Sequence, residues 1–420
     1  MRTASAPRRP WIPLLLCLSL LAAGPCAAAA APPPPLQLPA QEPSAPDVTA
    51  DAAVLIDAAT GRVLWGHNAD VPRHPASTTK MMTALVALER MAPGRVVEVG
   101  RDAAATPGSS ARLSPGERFT LAALLRGLLL RSGNDAAVAI ADAVAGSVPA
   151  FADLMNAKAK ELGLRDTHFE NPHGLTSPLH RSSAYDLALI ARAGLRIPAF
   201  AEIVDAPVAE MPGETADGRA IRRELYTTNR LLVAYDWVDG VKTGTTSAAG
   251  SCLVASGTRG GLQLIAVVLH SDDRWGDALR ILRWGFAHFA AVVAAAPGAA
   301  AGSLPVADGP RRDSRVTLRA AGRLWAPLGL DELPWVTLRR SGPAALTAPV
   351  RPGQPAGTLT LVLSGERIAS VPLVAGGAVP RAAAWSLLWR RLLPGGGRLR
   401  GPRGGTWRPR RRRSPGAPRG

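Results

Sequence analysis

The stretch Ser77-Thr78-Thr79-Lys80-Met81-Met82-Thr83-Ala84-Leu85-Val86-Ala87-Leu88-Glu89 puts a hydroxyl and an amine at the head of an apolar helix. Pro75 stands near its start, where a fixed φ suits a first turn. The i, i+3 spacing sets Ser77 and Lys80 on one helical face. A serine hydroxyl is a weak nucleophile until a base takes its proton. A lysine partly desolvated at the positive end of a helix loses enough basicity to be that base. Alone the pair is weak evidence, because Ser-x-x-Lys more often marks an exposed helix start.

Two further elements lie downstream. Ser132-Gly133-Asn134 joins two apolar helices expected at 120–131 and 135–145. In the plain reading Gly133 ends one helix and Asn134 caps the next. In the functional reading a second hydroxyl relays a proton and an amide holds a substrate amide. Lys242-Thr243-Gly244 precedes a hairpin with strands at 252–256 and 262–269, turned at 257–261. Lys242 is then either a strand-edge surface lysine or a fixed cation for a substrate carboxylate, with Gly244 letting the substrate backbone approach. Each tripeptide alone has a chance probability of a few per cent, and all three in this order roughly 1 in 10,000.

Other chemistries lack their signs. No serine sits in a Gly-x-Ser-x-Gly elbow, no lysine follows a glycine as in a phosphate-binding loop, and the seven His lack zinc-protease spacing. No metal or cofactor is called for.

The chain has 420 residues, room for two or three domains, and 47 % hydrophobic residues, enough for a packed core. Its net charge of +17 sits at the ends. Residues 381–420 hold 12 Arg and no acid, residues 1–30 hold 3 Arg and no acid, and residues 31–380 carry 34 basic against 32 acidic groups. A nearly neutral body with a basic tail points to an anionic surface, not to a nucleic-acid-binding core. There are 4 Lys against 45 Arg, a bias that base composition mostly explains. Lysine can give up a proton near neutral pH and arginine cannot. Lys80 and Lys242 lie in motifs, whereas Lys158 and Lys160 do not.

Residues 1–31 read as a secretory signal: Arg2, Arg8 and Arg9, an apolar run at 11–23, then small residues. The run is too short to span a bilayer comfortably, and Pro25 before Cys26 disfavours a lipoprotein site. Cleavage after Cys26 leaves Cys252 as the only thiol, a core residue in an apolar run, with no disulfide. Residues 32–46 form a Pro-rich linker, 47–290 the main domain, and the Ala/Gly-rich 291–303 a second linker. Short strands at 315–318, 335–338, 358–362 and 367–373 suggest a small all-β domain over 304–379. Within 380–394, Trp385, Leu388, Trp389, Leu392 and Leu393 share one helical face, with Arg390 and Arg391 off it. This segment is too short to cross a membrane but can lie in its surface. In the Arg-rich tail, 395–420, each Arg adds about 1 kcal/mol on anionic lipid; the alternative is a disordered tail with no partner.

The three motifs together resemble the signature of penicillin-recognising serine acyl-transfer enzymes. The flanks resemble the low-molecular-mass penicillin-binding proteins, the serine-type D-alanyl-D-alanine carboxypeptidases: 52–64 with His67-Asn68-Ala69-Asp70, the run Thr167-His168-Phe169-Glu170-Asn171-Pro172-His173-Gly174-Leu175, and Asp239-Gly240-Val241-Lys242-Thr243-Gly244-Thr245-Thr246. The likeness covers nearly all of 48–290, continues more weakly into the β-rich region, and matches the family's frequent amphipathic anchor. The long Arg-rich extension departs from it.

This resemblance implies an α/β (α+β) fold of the β-lactamase/transpeptidase type, an antiparallel sheet flanked by helices, with a small all-β C-terminal domain. It implies Ser77 as nucleophile, Lys80 as general base and Ser132, with Lys80, as proton relay to the leaving D-alanine. Asn134 positions the peptide, Lys242 draws its carboxylate, and Thr243 assists. The N–H groups of Ser77 and Thr245 form the oxyanion hole, a device often worth about 3–4 kcal/mol. The implied partners are stem peptides ending in D-Ala-D-Ala, β-lactams and an anionic membrane surface, at the outer face of the bacterial cytoplasmic membrane or secreted, and no nucleic acid.

Three alternatives stand beside it. A class A β-lactamase needs a Glu to activate the deacylating water; Glu170 invites the comparison, but that family has Asn four residues later, where this chain has Gly174. A penicillin-binding sensor or wall-binding protein would keep an idle site. Transpeptidation or endopeptidation would use the same fold.

Overall fold

The computed structural model describes residues 45–392. The expected signal segment, most of the Pro-rich linker, Leu393 and the Arg-rich tail lie outside the described residues. In chain order the elements are β1 (Ala52–Asp57), β2 (Val63–His67), α1 (Lys80–Arg90), β3 (Val96–Glu98), α2 (Arg101–Ala104), β4 (Arg118–Thr120), α3 (Leu121–Leu129), α4 (Asn134–Ala145), α5 (Val148–Glu161), α6 (Ala184–Leu195) and α7 (Pro198–Val204). Next come β5 (Val208–Glu214), β6 (Ala220–Tyr226), α8 (Arg230–Ala234), β7 (Val238–Thr246), β8 (Gly250–Arg259), β9 (Leu262–Ser271) and α9 (Arg274–His288). The rest is β10 (Phe289–Ala295), β11 (Ala300–Ala307), β12 (Arg315–Ala320), β13 (Leu324–Gly329), β14 (Val336–Ser341), β15 (Leu346–Thr347), β16 (Pro355–Leu363), β17 (Glu366–Ala375) and α10 (Ala384–Leu392).

The central sheet is antiparallel, in the order β2-β1-β9-β8-β7. Its middle strands read as unbroken apolar runs because both faces are covered. Alternate residues of β1 serve different cores: Val54 and Ile56 pack with α1, α3, α4 and α6, while Ala53 and Leu55 pack with Ala278, Ile281 and Leu282 of α9. β9 divides likewise, with Ile265, Val267 and Leu269 on one side and Leu264, Ala266 and Val268 on the other. A sheet between two helical layers results, the mixed α and β arrangement expected. A smaller sheet, β3-β4-β5-β6, lies apart from the central one.

The expected hairpin is present but longer. β8 runs on to Arg259, which pairs with Leu262, so the reversal needs only Gly260-Gly261, both at positive φ. That is the tight loop that suits the twist of paired strands.

The C-terminal third departs from the expected layout. Residues 291–303, read as a linker, are largely strand: β10 pairs with β13 from Phe289↔Gly329 onward, and β11 pairs with β12. Nor do residues 304–379 segregate as one block. The described residues form two compact units, one holding 45–297, 322–340 and 359–371, the other 298–321, 341–358 and 372–392. Within the first, the Arg62 guanidinium reaches Pro327 O at 2.8 Å and pairs with Glu332, tying the β1–β2 turn to β13 and to the residues just after it. Within the second, β12 pairs with the end of β17 and β11 runs parallel to β15.

Candidate active site

Residues Ala76–Thr79 form a short 3-10 turn that feeds directly into α1. The tighter turn exposes part of Ser77 while Thr78, Thr79 and Lys80 are buried. Lys80 is among the largest fully buried side chains, at 0 % exposure. Its Nζ lies 2.9 Å from Ser77 Oγ, 2.7 Å from Asn134 Oδ1 and 2.8 Å from the His173 carbonyl oxygen. Among the described residues no carboxylate pairs with it. A neutral amine has two N–H bonds and one lone pair. Asn134 and His173 supply two acceptors, so the lone pair is left facing the Ser77 hydroxyl.

Electrostatics favour that neutral form. Burial pushes the Lys80 amine well below its ordinary value, and the Lys242 charge pushes it further, against a smaller opposing pull from Asp135. Lys242 is itself buried and brought down to about 7, first by burial and then by Arg274. Two amines in one dry site cannot both hold a proton cheaply. An arrangement of this kind can hold one amine neutral and the other charged.

Asn134 does not cap its helix, which begins at Asn134 itself with Gly133 in the cap position and no side-chain bond there. The amide turns inward, accepting from Lys80 and donating Nδ2–H to Pro107 O at 2.6 Å. One N–H of the amide is left for a substrate. Next to it, Asp135 accepts from Ser110 Oγ and from the N–H groups of Ala111 and Leu113, which pins the 107–113 loop beside the site. Ser132 lies buried in the α3–α4 connection at a left-handed φ of 59°. Among the described residues its hydroxyl bonds neither Ser77 nor Lys80.

β7 forms the opposite wall. A Cβ at Gly244 would stand 3.0 Å from Pro75 O and 3.1 Å from Ser77 N, so the strand presses against the nucleophile's own turn. Lys242 Nζ donates to Thr243 O at 3.1 Å, and the Thr243 hydroxyl meets that of Thr228 at 2.7 Å. Thr245 Oγ1 donates to Gly244 O and accepts from Arg274 Nη1 at 2.7 Å. Ser77, Lys80 and Asn134 are thus hydrogen-bonded together, Lys242, Thr243 and Thr245 lie on the adjoining strand, and among the described residues Ser132 is not bonded to this group.

Arg274, at the head of α9, is a site residue that motif reading missed. It also donates to Gly244 O at 2.9 Å, lies 4.7 Å from the Trp275 ring centre and has no carboxylate partner among the described residues. The only sequence signal was an Arg amid Asp272, Asp273 and Trp275. The His173 carbonyl was also missed, since a backbone acceptor leaves no trace in side-chain motifs.

A hydroxyl held against a dry amine, beside an unneutralised cationic wall, is machinery for acylating a serine with a substrate that ends in a carboxylate. A family model described as D-alanyl-D-alanine carboxypeptidase matches residues 39–273. The chain belongs to the D-alanyl-D-alanine carboxypeptidase family. It is 35 % identical to D-alanyl-D-alanine carboxypeptidase DacC of Escherichia coli, over 83 % of this chain and 89 % of that one. Penicillin binding protein 5 from Haemophilus influenzae superposes with a TM-score of 0.66 at 31 % identity, covering 81 % of this chain and 100 % of that one. The Streptomyces K15 DD-transpeptidase superposes with a TM-score of 0.56 at 33 % identity, over 58 % of this chain and 99 % of that one. Like its family, the protein is a serine-type hydrolase that removes a C-terminal D-alanine.

The arrangement of this carboxypeptidase also bears on the β-lactamase alternative. The Glu170 carboxylate accepts from Ser177 Oγ and from Leu179 N at 3.0 Å, both on its own loop, and these bonds hold it below the usual carboxylate range. It bonds neither Ser77 nor Lys80.

Lys242→Met is expected to have two effects. Loss of a charged hydrogen-bond donor to the substrate carboxylate should lower kcat/KM roughly 10–100-fold. Loss of the repulsion should raise the Lys80 pKa, so the acid limb of the acylation profile moves to higher pH. A rate–pH profile with benzylpenicillin checks the second effect independently of the first.

Proposed function

We propose that Ser77 carries the acyl group, that Lys80 takes its proton, and that the three contacts of Lys80 Nζ make this possible. Those contacts are the observation that carries the reading. The peptide's terminal carboxylate sits between Lys242 and the free face of Arg274, and Thr243 lends its hydroxyl. The spare Asn134 N–H holds the substrate's backbone carbonyl. Ser77 Oγ attacks the penultimate carbonyl while the N–H groups of Ser77 and Thr245 take the developing negative charge. Ser132, buried in the α3–α4 connection, passes the proton on to the departing D-alanine nitrogen. Water then cleaves the ester. β-Lactams, which imitate the D-Ala-D-Ala end, acylate the same oxygen.

Intact-mass spectrometry after incubation with benzylpenicillin, followed by a peptide map, tests this. A stable adduct on Ser77 together with D-alanine release from a diacetylated Lys-D-Ala-D-Ala peptide supports it. An adduct without D-alanine release identifies a sensor, and fast penicillin loss without an adduct identifies a β-lactamase.

We also infer that the protein is exported and rests on the outer face of the cytoplasmic membrane. The support is the basic, apolar start of the sequence and its other end. Trp385 and Leu388 of α10 are 70 % and 60 % exposed, an apolar face directed outward, and Arg-rich sequence follows. Each Arg near anionic lipid adds about 1 kcal/mol. Truncation after Val379 is expected to leave D-alanine release unchanged and to abolish co-sedimentation with vesicles containing phosphatidylglycerol. Unchanged sedimentation would sink the anchor.

A further inference from the structure

His180 is 1 % exposed and uses all its polar atoms. Its Nδ1 lies 3.1 Å from Glu170 N. A backbone N–H can only donate, so Nδ1 is the acceptor and the neutral ring carries its proton on Nε2. Nε2 then donates to Thr79 Oγ1 at 2.8 Å. The His180 carbonyl accepts from His74 Nδ1 at 3.0 Å, and the ring meets Phe169 edge-on at 5.5 Å between centres.

The ring thus joins two segments that must keep register for Lys80 to work. Thr79 belongs to the 3-10 turn that bears Ser77, and it immediately precedes Lys80. Glu170 lies in the segment that continues to the His173 carbonyl, the acceptor for one of the two Lys80 N–H bonds. If that carbonyl withdraws, the Lys80 amine is free to rotate its lone pair away from Ser77 and to take on water.

We propose that His180 is a positioning residue for acylation: its ring holds the Ser77–Lys80 turn at a fixed distance from the His173 carbonyl and so keeps Lys80 dry and aimed at Ser77. This rests on the reading of Lys80 as the base. The neutral ring is the working form. Burial brings it down to about 4, with Glu170 pulling up and His74 and His168 pushing down. His173, on the same segment, is held neutral at about 3 by burial first and by Lys80 next. Both rings are therefore neutral above about pH 5, so neither supplies an acid limb in the assayed range.

The test uses the full chain and three substitutions. His180→Phe keeps the ring volume and removes both nitrogens. Thr79→Val removes the other partner's hydroxyl. His180→Gln keeps a donor near the Nε2 position. Acylation by benzylpenicillin is followed from pH 5 to 9, with D-alanine release in parallel. His180→Phe and Thr79→Val are each expected to slow acylation about 10–100-fold, the scale of a small misplacement of reacting groups. Each should also move the acid limb to higher pH, because a wetter Lys80 regains its basicity. The double substitution should be no worse than the worse single one, and His180→Gln should recover most of the rate. A change that only loosened the fold would reduce the active fraction and leave the limb in place.

Rates within twofold of the parent and an unmoved limb, in His180→Phe and Thr79→Val, overturn the proposal. If His180→Phe does not fold, Thr79→Val decides alone by the same criteria. A parent chain that takes up no penicillin and releases no D-alanine overturns the catalytic reading and this proposal with it.

Discussion

Lys80→Arg is expected to slow acylation of Ser77 by about 10⁴-fold, the upper range for loss of a positioned general base. The substitution keeps a positive charge and a long stem, so it separates charge from proton transfer. A guanidinium does not give up its proton near neutral pH. The slot cannot make it do so, because the burial that lowers an amine only adds to the cost of placing a guanidinium there. Crowding adds its own penalty of about 1–3 kcal/mol in a fully buried site. Lys80→Met removes charge and base together with little change in volume. If Lys80 is the base, both variants are inactive and both still fold by circular dichroism. If the site needs only a cation beside Ser77, Lys80→Arg keeps activity and Lys80→Met does not. Ser77→Ala gives the floor: no covalent penicillin and no D-alanine release. Lys80→Arg retaining more than about 1 % of the parent acylation rate, a residue far above the expected loss, would falsify the assignment.

The rarity of lysine in the chain pointed the same way, and the structure shows how far that clue reaches. Lys80 and Lys242 are the buried pair of the site. Lys158 has an ordinary structural role, bridging Glu89 and Glu161 at 2.6 and 2.9 Å. Three motifs were legible because each side chain at Ser77, Lys80, Asn134, Lys242 and Thr243 carries chemistry of its own. β8 and β9 were legible because two covered faces leave continuous apolar runs. What escaped notice was of another kind. The His173 contribution is a carbonyl, identical in every residue. Arg274 comes from a separate element, and nothing local marks it as the neighbour of Thr245. Residues 291–303 are small and apolar, with little β preference or alternation, and they become strand only through partners near residues 315–329. There tertiary pairing overrides propensity.

Gly174→Asn should cost the protein both its activity and much of its stability. Gly174 lies at φ +86°, where residues with a side chain are strained. A Cβ there would lie 1.9 Å from Ala76 O, 2.4 Å from Ala76 C and 2.9 Å from Thr79 Oγ1. Two of these three atoms are backbone of the very turn that bears Ser77, so no rotamer change relieves the overlap. Asparagine tolerates left-handed φ better than most residues, which makes the steric part of the effect separable. Gly174→Ala meets the same Cβ overlap, so both variants should fail alike. Either the 173–175 segment or the Ser77 turn must then move by more than an ångström. Movement of the first withdraws the His173 carbonyl from Lys80, and movement of the second displaces the nucleophile from β7. An overpacked core site loses about 1–3 kcal/mol, and backbone strain adds about 1–2 kcal/mol more. In thermal melts, Tm should therefore fall by several degrees, and acylation by at least about 100-fold, as for a misplacement near 1 Å. The same contact bears on substrate choice. Position 174 is where a class A β-lactamase would carry the Asn that partners its water-activating Glu. In this fold the backbone of Ala76 occupies the space that side chain would need. A Gly174→Asn variant that kept the parent Tm and gained penicillin turnover would show that the turn yields more readily than these distances allow.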